Sequence, residues 1–159
     1  MRPDTESDPT QVRKTAFDLL SRREHSTQEL SRKLASRNFE PDLIEATVAA
    51  LVSEGLLDNE RFAESFVHSH FQRGQGPQKI RAELRGRGIE DGVIAASLEA
   101  PELCWSELAR QVREKRFGSE QPANFRERSR QMRFLQQRGF THEQISGVFR
   151  ESETLPEDT

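Results

Sequence analysis

The chain has 159 residues, 33% hydrophobic and 32% charged, with a formal net charge of −3. So few apolar residues exclude one thick core and favour thin helical layers with much exposed surface. A single cysteine, Cys104, excludes an intrachain disulfide, and the longest apolar run, Val48 to Val52, is far too short to cross a bilayer.

The chain opens on an acidic segment, residues 1–10, where Arg2 faces Asp4, Glu6 and Asp8. It closes on another, 151–159, with Glu151, Glu153, Glu157 and Asp158. Both read as disordered tails. Removing the −2 of the first and the −4 of the second from the total leaves +3 on the body. MRPDTESDPT lacks the apolar stretch of a signal peptide, so the expected location is cytoplasmic.

Val12, Ala16, Leu19 and Leu20 predict a helix over 12–23. After it comes STQELSRKLASRNF (26–39), in which Ser26 and Glu29 suggest a capping box and Leu30 and Leu34 share one helical face. Asn38 suits the left-handed conformation past a helix end, and Ile44 and Val48 seat a second helix. Asp58 then caps a helix over 59–73 carrying Phe62, Phe66, Val67 and Phe71. Gly76-Pro77 starts the next, with Ile80 and Leu84 on its apolar face, Gly88 at its end, and Ile94 and Leu98 beyond. Pro101 is expected to open a helix over 102–117, with Leu103, Leu108, Val112 and Phe117.

The last copy, RERSRQMRFLQQRGF (126–140), has Gln131 where Leu30 and Ile80 stand, and Met132 is expected to fill the gap. Leu135, Gly139, Phe140, Ile145 and Phe149 complete it.

Leu34, Leu84 and Leu135 thus recur at intervals of 50 and 51 residues, and a period of this size marks stacked supersecondary units. Each unit is too small to bury a core alone, so neighbours must share one. The fold class is all-α: a tandem array of three three-helix repeats, elongated and curved, with about nine helices. The repeats are placed at 11–57, 58–100 and 101–150, with Leu30, Leu34, Ile80, Leu84, Leu135 and Phe140 holding the modules.

No catalytic constellation is visible. His68 and His70, two apart on a helix, point to different faces and make poor joint metal ligands. They, His25 and His142 read as solvated or rim residues, and Cys104 beside Trp105 reads as packing. Gly74-Gln75-Gly76 with Lys79 lacks the spacing and the Ser/Thr of a phosphate loop. The expectation is a non-enzyme with no metal and no cofactor.

Arginine outnumbers lysine twenty to four. Residues 73–88 and 110–138 concentrate it, whereas 40–64 carry seven acids against Arg61. Taken together the basic stretches suggest a surface for nucleic acid or for an acidic protein. The residues expected to face a partner are Arg73, Lys79, Arg81, Arg85 and Arg87, with Arg126, Arg130 and Arg133 on one helical stripe.

The run GLLDNERFA (55–63), followed by Phe66, RGQGP (73–77), Ile80, Leu84 and RGI (87–89), resembles the central repeat of the RecX family. The motif positions are Gly55, Asp58, Phe62, Ala63, Phe66, Gly74, Gly76, Pro77, Ile80, Leu84 and Gly88, and the likeness extends over about 12–150. Departures fall at Phe66, where the family often has tyrosine, and at His68 and His70, where it often has arginine. The resemblance implies a DNA-repair regulator that lies in the groove of the RecA–DNA filament and suppresses its ATPase, strand-exchange and co-protease activities. It implies a monomer with RecA as partner, and phosphate contact with single- or double-stranded DNA remains open. The rival is a helix-turn-helix-like DNA-binding regulator acting without RecA, since three short helices can form such a unit.

Overall fold

Capping residues fix where most of the helices begin. In the computed structural model, which describes residues 8–153, Asp8 accepts from the Thr10 amide at 3.0 Å and Pro9 takes the first turn. Helix α1 therefore runs Pro9–Leu20, three residues ahead of the expected start. With Asp8 as its cap, it takes Pro9 and Thr10 from the segment expected as a tail. Residues 1–7 and 154–159, the rest of the expected tails but for the helical 151–153, lie outside the described residues. Then follow α2 (Thr27–Ser36), α3 (Pro41–Ser53), α4 (Asn59–Gln72), α5 (Pro77–Gly86), α6 (Asp91–Leu98), α7 (Trp105–Phe117), α8 (Phe125–Gln137) and α9 (His142–Glu153). Among the described residues there are nine helices and no strand, in the order of three three-helix repeats.

One turn ends the first of the two repeat-motif helices in every copy. Asn38, Gly88 and Gly139 take φ of 66°, 81° and 99°. The next amide bonds back in each case: Phe39 to the Leu34 carbonyl, Ile89 to Leu84 and Phe140 to Leu135. This is the left-handed helix stop with its backward hydrogen bond, and it drops an apolar side chain into the core. Phe39, Ile89 and Phe140 are all buried.

The chain divides into two compact units: up to Phe66 with Leu84–Ser97, and Val67–Glu83 with the chain from Leu98 on. In the first, Val12, Ala16, Leu19, Leu30, Leu34 and Ile44 form one apolar cluster closed by Leu51 and Leu57. Each fully buried leucine there contributes roughly 1.5–3 kcal/mol over an exposed one. In the second, Leu108, Ala109, Val112, Leu135, Ile145 and Phe149 pack together, with Phe71 and Trp105 against them edge to face at 5.1 Å.

Each unit also repeats a docking contact between a turn and a helix start. In the first, the Ser26 hydroxyl donates to the Arg87 carbonyl at 2.9 Å, and a Cβ at Gly88 would collide with Gln28. In the second, the Gly76 amide donates to the Arg138 carbonyl at 2.8 Å and the Gln78 amide to Gly139 at 2.9 Å. An arginine–glycine turn is thus seated on the start of the motif helix before it, by hydroxyl in one case and by bare backbone in the other.

Several expectations are corrected. Helix α7 opens at Trp105 rather than at Pro101, because a turn from the Leu103 amide to the Ala100 carbonyl comes first and Cys104 supplies the extended cap. Trp105 is anchored there by donation from Nε1 to the Leu98 carbonyl at 2.9 Å, and Cys104 is exposed rather than packed. At the break in the repeat Met132 does pack, half-buried, against the core cluster, but Gln131 is itself buried beside it, accepting from Arg113 Nε at 3.0 Å. The capping box at Ser26 is half made. Its hydroxyl accepts from the Glu29 amide at 3.1 Å, but the Glu29 carboxylate goes to Arg23 and Arg87 instead.

Candidate partner-binding faces

The five basic residues expected to act together in the middle repeat are divided between the two units: Arg85 and Arg87 in the first, Arg73, Lys79 and Arg81 in the second. Arg87 is half-buried and already engaged. Its guanidinium donates to Glu29 at 2.9 Å and lies 5.0 Å over the Phe66 ring, and its carbonyl takes the Ser26 hydroxyl. Phe66, with no hydroxyl to satisfy, suits that stacked role. Arg85 pairs with Asp91 at 2.7 Å on an exposed edge, an interaction worth little. Arg81 is half-buried with its Nε unpaired, whereas Arg73 and Lys79 are exposed.

Glu29 joins Arg23 at 2.7 Å and Arg87 at 2.9 Å. Burial raises its pKa, but the two guanidinium hydrogen bonds outweigh that and hold the carboxyl below its usual range.

His25 is not solvated, as expected, but 1% exposed. Its Nδ1 meets the Arg23 carbonyl at 3.0 Å and its Nε2 meets Lys33 Nζ at 2.8 Å. Lysine can only donate, so the ring is neutral with its proton on Nδ1. Burial lowers the pKa below 6.5, and the charges of Arg23 and Lys33 add to the effect against the opposing Arg23 carbonyl and Glu29. The unfolded chain then takes up the proton at higher pH than the folded one. The stabilisation is complete above about 6.5 and is lost as the pH falls through the lower folded value. Urea midpoints at pH 7.5 and 5.5 should fall further on acidification for the wild type than for H25Q. Equal falls would show that His25 is not the titrating group.

The third repeat brings its expected residues together. Asn124 caps α8 by accepting from the Glu127 amide at 2.9 Å, and Arg126, Arg130 and Arg133 follow on one exposed stripe. All three line a shallow hollow of about 630 Å³ with Phe125, which is 84% exposed. Arg130 leans on Glu127 at 3.4 Å and lies 5.8 Å from the Phe117 ring centre. A fully exposed phenylalanine among arginines has the makings of an anchor residue. Sequence reasoning passed over Phe125, although its place next to the cap, outside the apolar periodicity of α8, was the available signal.

Among the described residues no cluster of three or more His, Cys, Asp or Glu could hold a metal, and no helix is long and apolar enough to cross a membrane. His68 is exposed, whereas His70 faces Glu83 at 3.5 Å, so the pair does not converge.

Comparison with known proteins identifies the architecture. Family models for the first, second and third three-helix domains of RecX match residues 13–51, 58–98 and 106–149. A regulatory protein RecX from Halorhodospira halophila is 53% identical over 134 residues, 84% of this chain and 83% of that protein. One from Pseudomonas syringae pv. tomato is 44% identical over 137 residues, 86% of this chain and 88% of its own. The crystal structure of RecX from Lactobacillus salivarius superposes with a TM-score of 0.79 at 22% identity, covering 92% of this chain and 97% of that one. That likeness is one of fold, and the sequence relatives supply the rest: this chain belongs to the RecX family of regulatory proteins.

Proposed function

We propose that the chain is a non-enzymatic regulator, cytoplasmic and monomeric, that binds the groove of the RecA–DNA filament and inhibits its ATPase, strand-exchange and co-protease activities. The observation that carries this reading is the α8 stripe: Arg126, Arg130 and Arg133 exposed around Phe125 in a protein of tandem repeats whose relatives are named regulatory proteins. Modules at 11–57, 58–100 and 101–150 would each bind weakly, with the shared chain supplying avidity along the filament. The complement such a stripe requires is an acidic patch on the partner.

The test is ATP hydrolysis by RecA preassembled on single-stranded DNA, titrated with this protein. Inhibition is expected at levels well below those that coat bare DNA. R126E/R133E should weaken inhibition by about tenfold or more, as loss of a buried charge contact does. Its helicity should be unchanged, since both side chains are exposed. Hydrolysis unaffected by the wild type, together with tight binding to DNA alone, would replace the filament reading with the DNA-binding one.

A further inference from the structure

A second basic feature lies away from the α8 stripe. The chain leaving α4, one side of α7 and the end of α8 enclose a cleft of about 400 Å³ within the second unit. Arg73, Lys115, Arg116 and Arg138 line it, and no carboxylate does among the described residues. None of the four has an ion-pair partner among them either. By contrast Arg13, Arg61, Arg85 and Arg110 each hold a carboxylate. Four unneutralised cations in one concavity repel each other, and low-dielectric walls focus their field on the space between. Such an arrangement costs stability in the free protein and is relieved by an anion.

The geometry of the cations favours phosphate. Arg116 and Arg138 lie over the Phe134 ring, 5.8 and 5.6 Å from its centre. A stacked guanidinium is held in one orientation, so its planar fork meets phosphate oxygens with little further ordering. The floor is apolar. Leu108 and Val112 form it, and Gly74, at φ +79°, approaches Val112 so closely that a Cβ there would sit 3.0 Å from its methyl group. At the rim, Gln72 and Gln111 offer amides that can both donate and accept. A glutamate or aspartate side chain would bring one charge and leave the floor and the amides unused. A nucleotide brings a phosphate for the walls, a flat apolar face for the floor and a hydrogen-bonding edge for the amides. The volume lies within the small-ligand range of about 300–1,000 Å³. A duplex keeps its bases stacked inside, so the strand must be single.

We infer that this cleft binds one nucleotide unit of single-stranded nucleic acid, with its phosphate between the four cations and its base against Leu108 and Val112. The site stands apart from the filament reading, because Lys115 and Arg116 are not on the α8 stripe. Fluorescence anisotropy with a labelled oligothymidylate about 12 nucleotides long tests it on the full chain. K115Q/R116Q should bind about tenfold more weakly, and its log affinity against log salt should be shallower by up to about 0.7, the share of the one phosphate that the cleft holds. Q111E places a carboxylate in the cleft without removing any packing and should weaken binding to a similar degree. R126E/R133E should leave oligothymidylate affinity within about twofold, which separates failure here from failure of the filament assay. Polyglutamate of equal length should not compete. If both cleft variants bind like the wild type, the assignment is wrong. If polyglutamate displaces the oligonucleotide at lower concentration than unlabelled oligothymidylate does, the cleft takes an acidic polypeptide and the inference also falls.

Discussion

G76A should lose about 3 kcal/mol of stability, the combined scale of overpacking and two broken hydrogen bonds. A Cβ at this position would lie 2.3 Å from the Gly139 carbonyl carbon and 2.4 Å from the Phe140 amide nitrogen, both backbone atoms that no rotamer change can move. The start of α5 would have to lift away from the turn after α8. The 2.8 Å bond to the Arg138 carbonyl and the 2.9 Å bond to the Gly139 carbonyl would go with it. Urea denaturation gives the measurement, and G86A gives the control. Gly86 sits at the end of α5 with nothing within 4 Å of its Cβ position. Alanine there should be neutral or stabilise by up to about 1 kcal/mol, because it removes chain entropy from the unfolded state. Equal midpoints for G76A and wild type would mean that this docking contact contributes nothing.

R113A should be comparably damaging, by roughly 3 kcal/mol, the scale of a core cavity together with buried acceptors left unsatisfied. Arg113 is 3% exposed. Its Nε donates to Gln131 at 3.0 Å, its Nη2 to the Glu120 carbonyl at 2.5 Å, and its guanidinium lies 5.5 Å from the Phe149 ring centre. Removing it leaves a cavity and two acceptors without their donor. The pair is also informative as a cycle. Gln131 occupies the place of Leu30 and Ile80 in the other repeats, so leucine is compatible with the position. R113L/Q131L should therefore be more stable than R113L alone by at least about 1 kcal/mol, since the double change removes both partners rather than orphaning one. A double variant no better than the single would show that Glu120 and Phe149, not Gln131, are what Arg113 serves.

These two sites differ in how far the sequence announced them. Gly76 was marked by the Gly-Pro helix start and by its place in the family motif, yet its actual constraint, the backbone of residues 139–140, lies more than sixty residues away. Gln131 was visible as a break in the repeat, but its partner was not, because Arg113 reads as one more member of a basic run. The same is true of Arg87, which was grouped with the exposed cations and is committed to Glu29 and Phe66. His25 carried no apolar periodicity around it and so looked like a rim residue, whereas Arg23 and Lys33 enclose it.

What the sequence by itself determined is the repeat and most of what is local to it. The nine helices of the described residues, the left-handed stops at Asn38, Gly88 and Gly139, and the buried positions Leu34, Leu84 and Leu135 all follow from spacing and residue type. Such signals are short-range because helix period and backbone preference are properties of a few neighbouring residues. The tertiary structure alone decided which charges are spent inside the fold and which remain available. Arg73, Lys115, Arg116 and Arg138 come from three separate stretches of chain, and only packing α7 and α8 beside the end of α4 makes one cleft of them. Arginine carries the same charge everywhere along a sequence, and only the neighbours brought by folding determine whether that charge is neutralised.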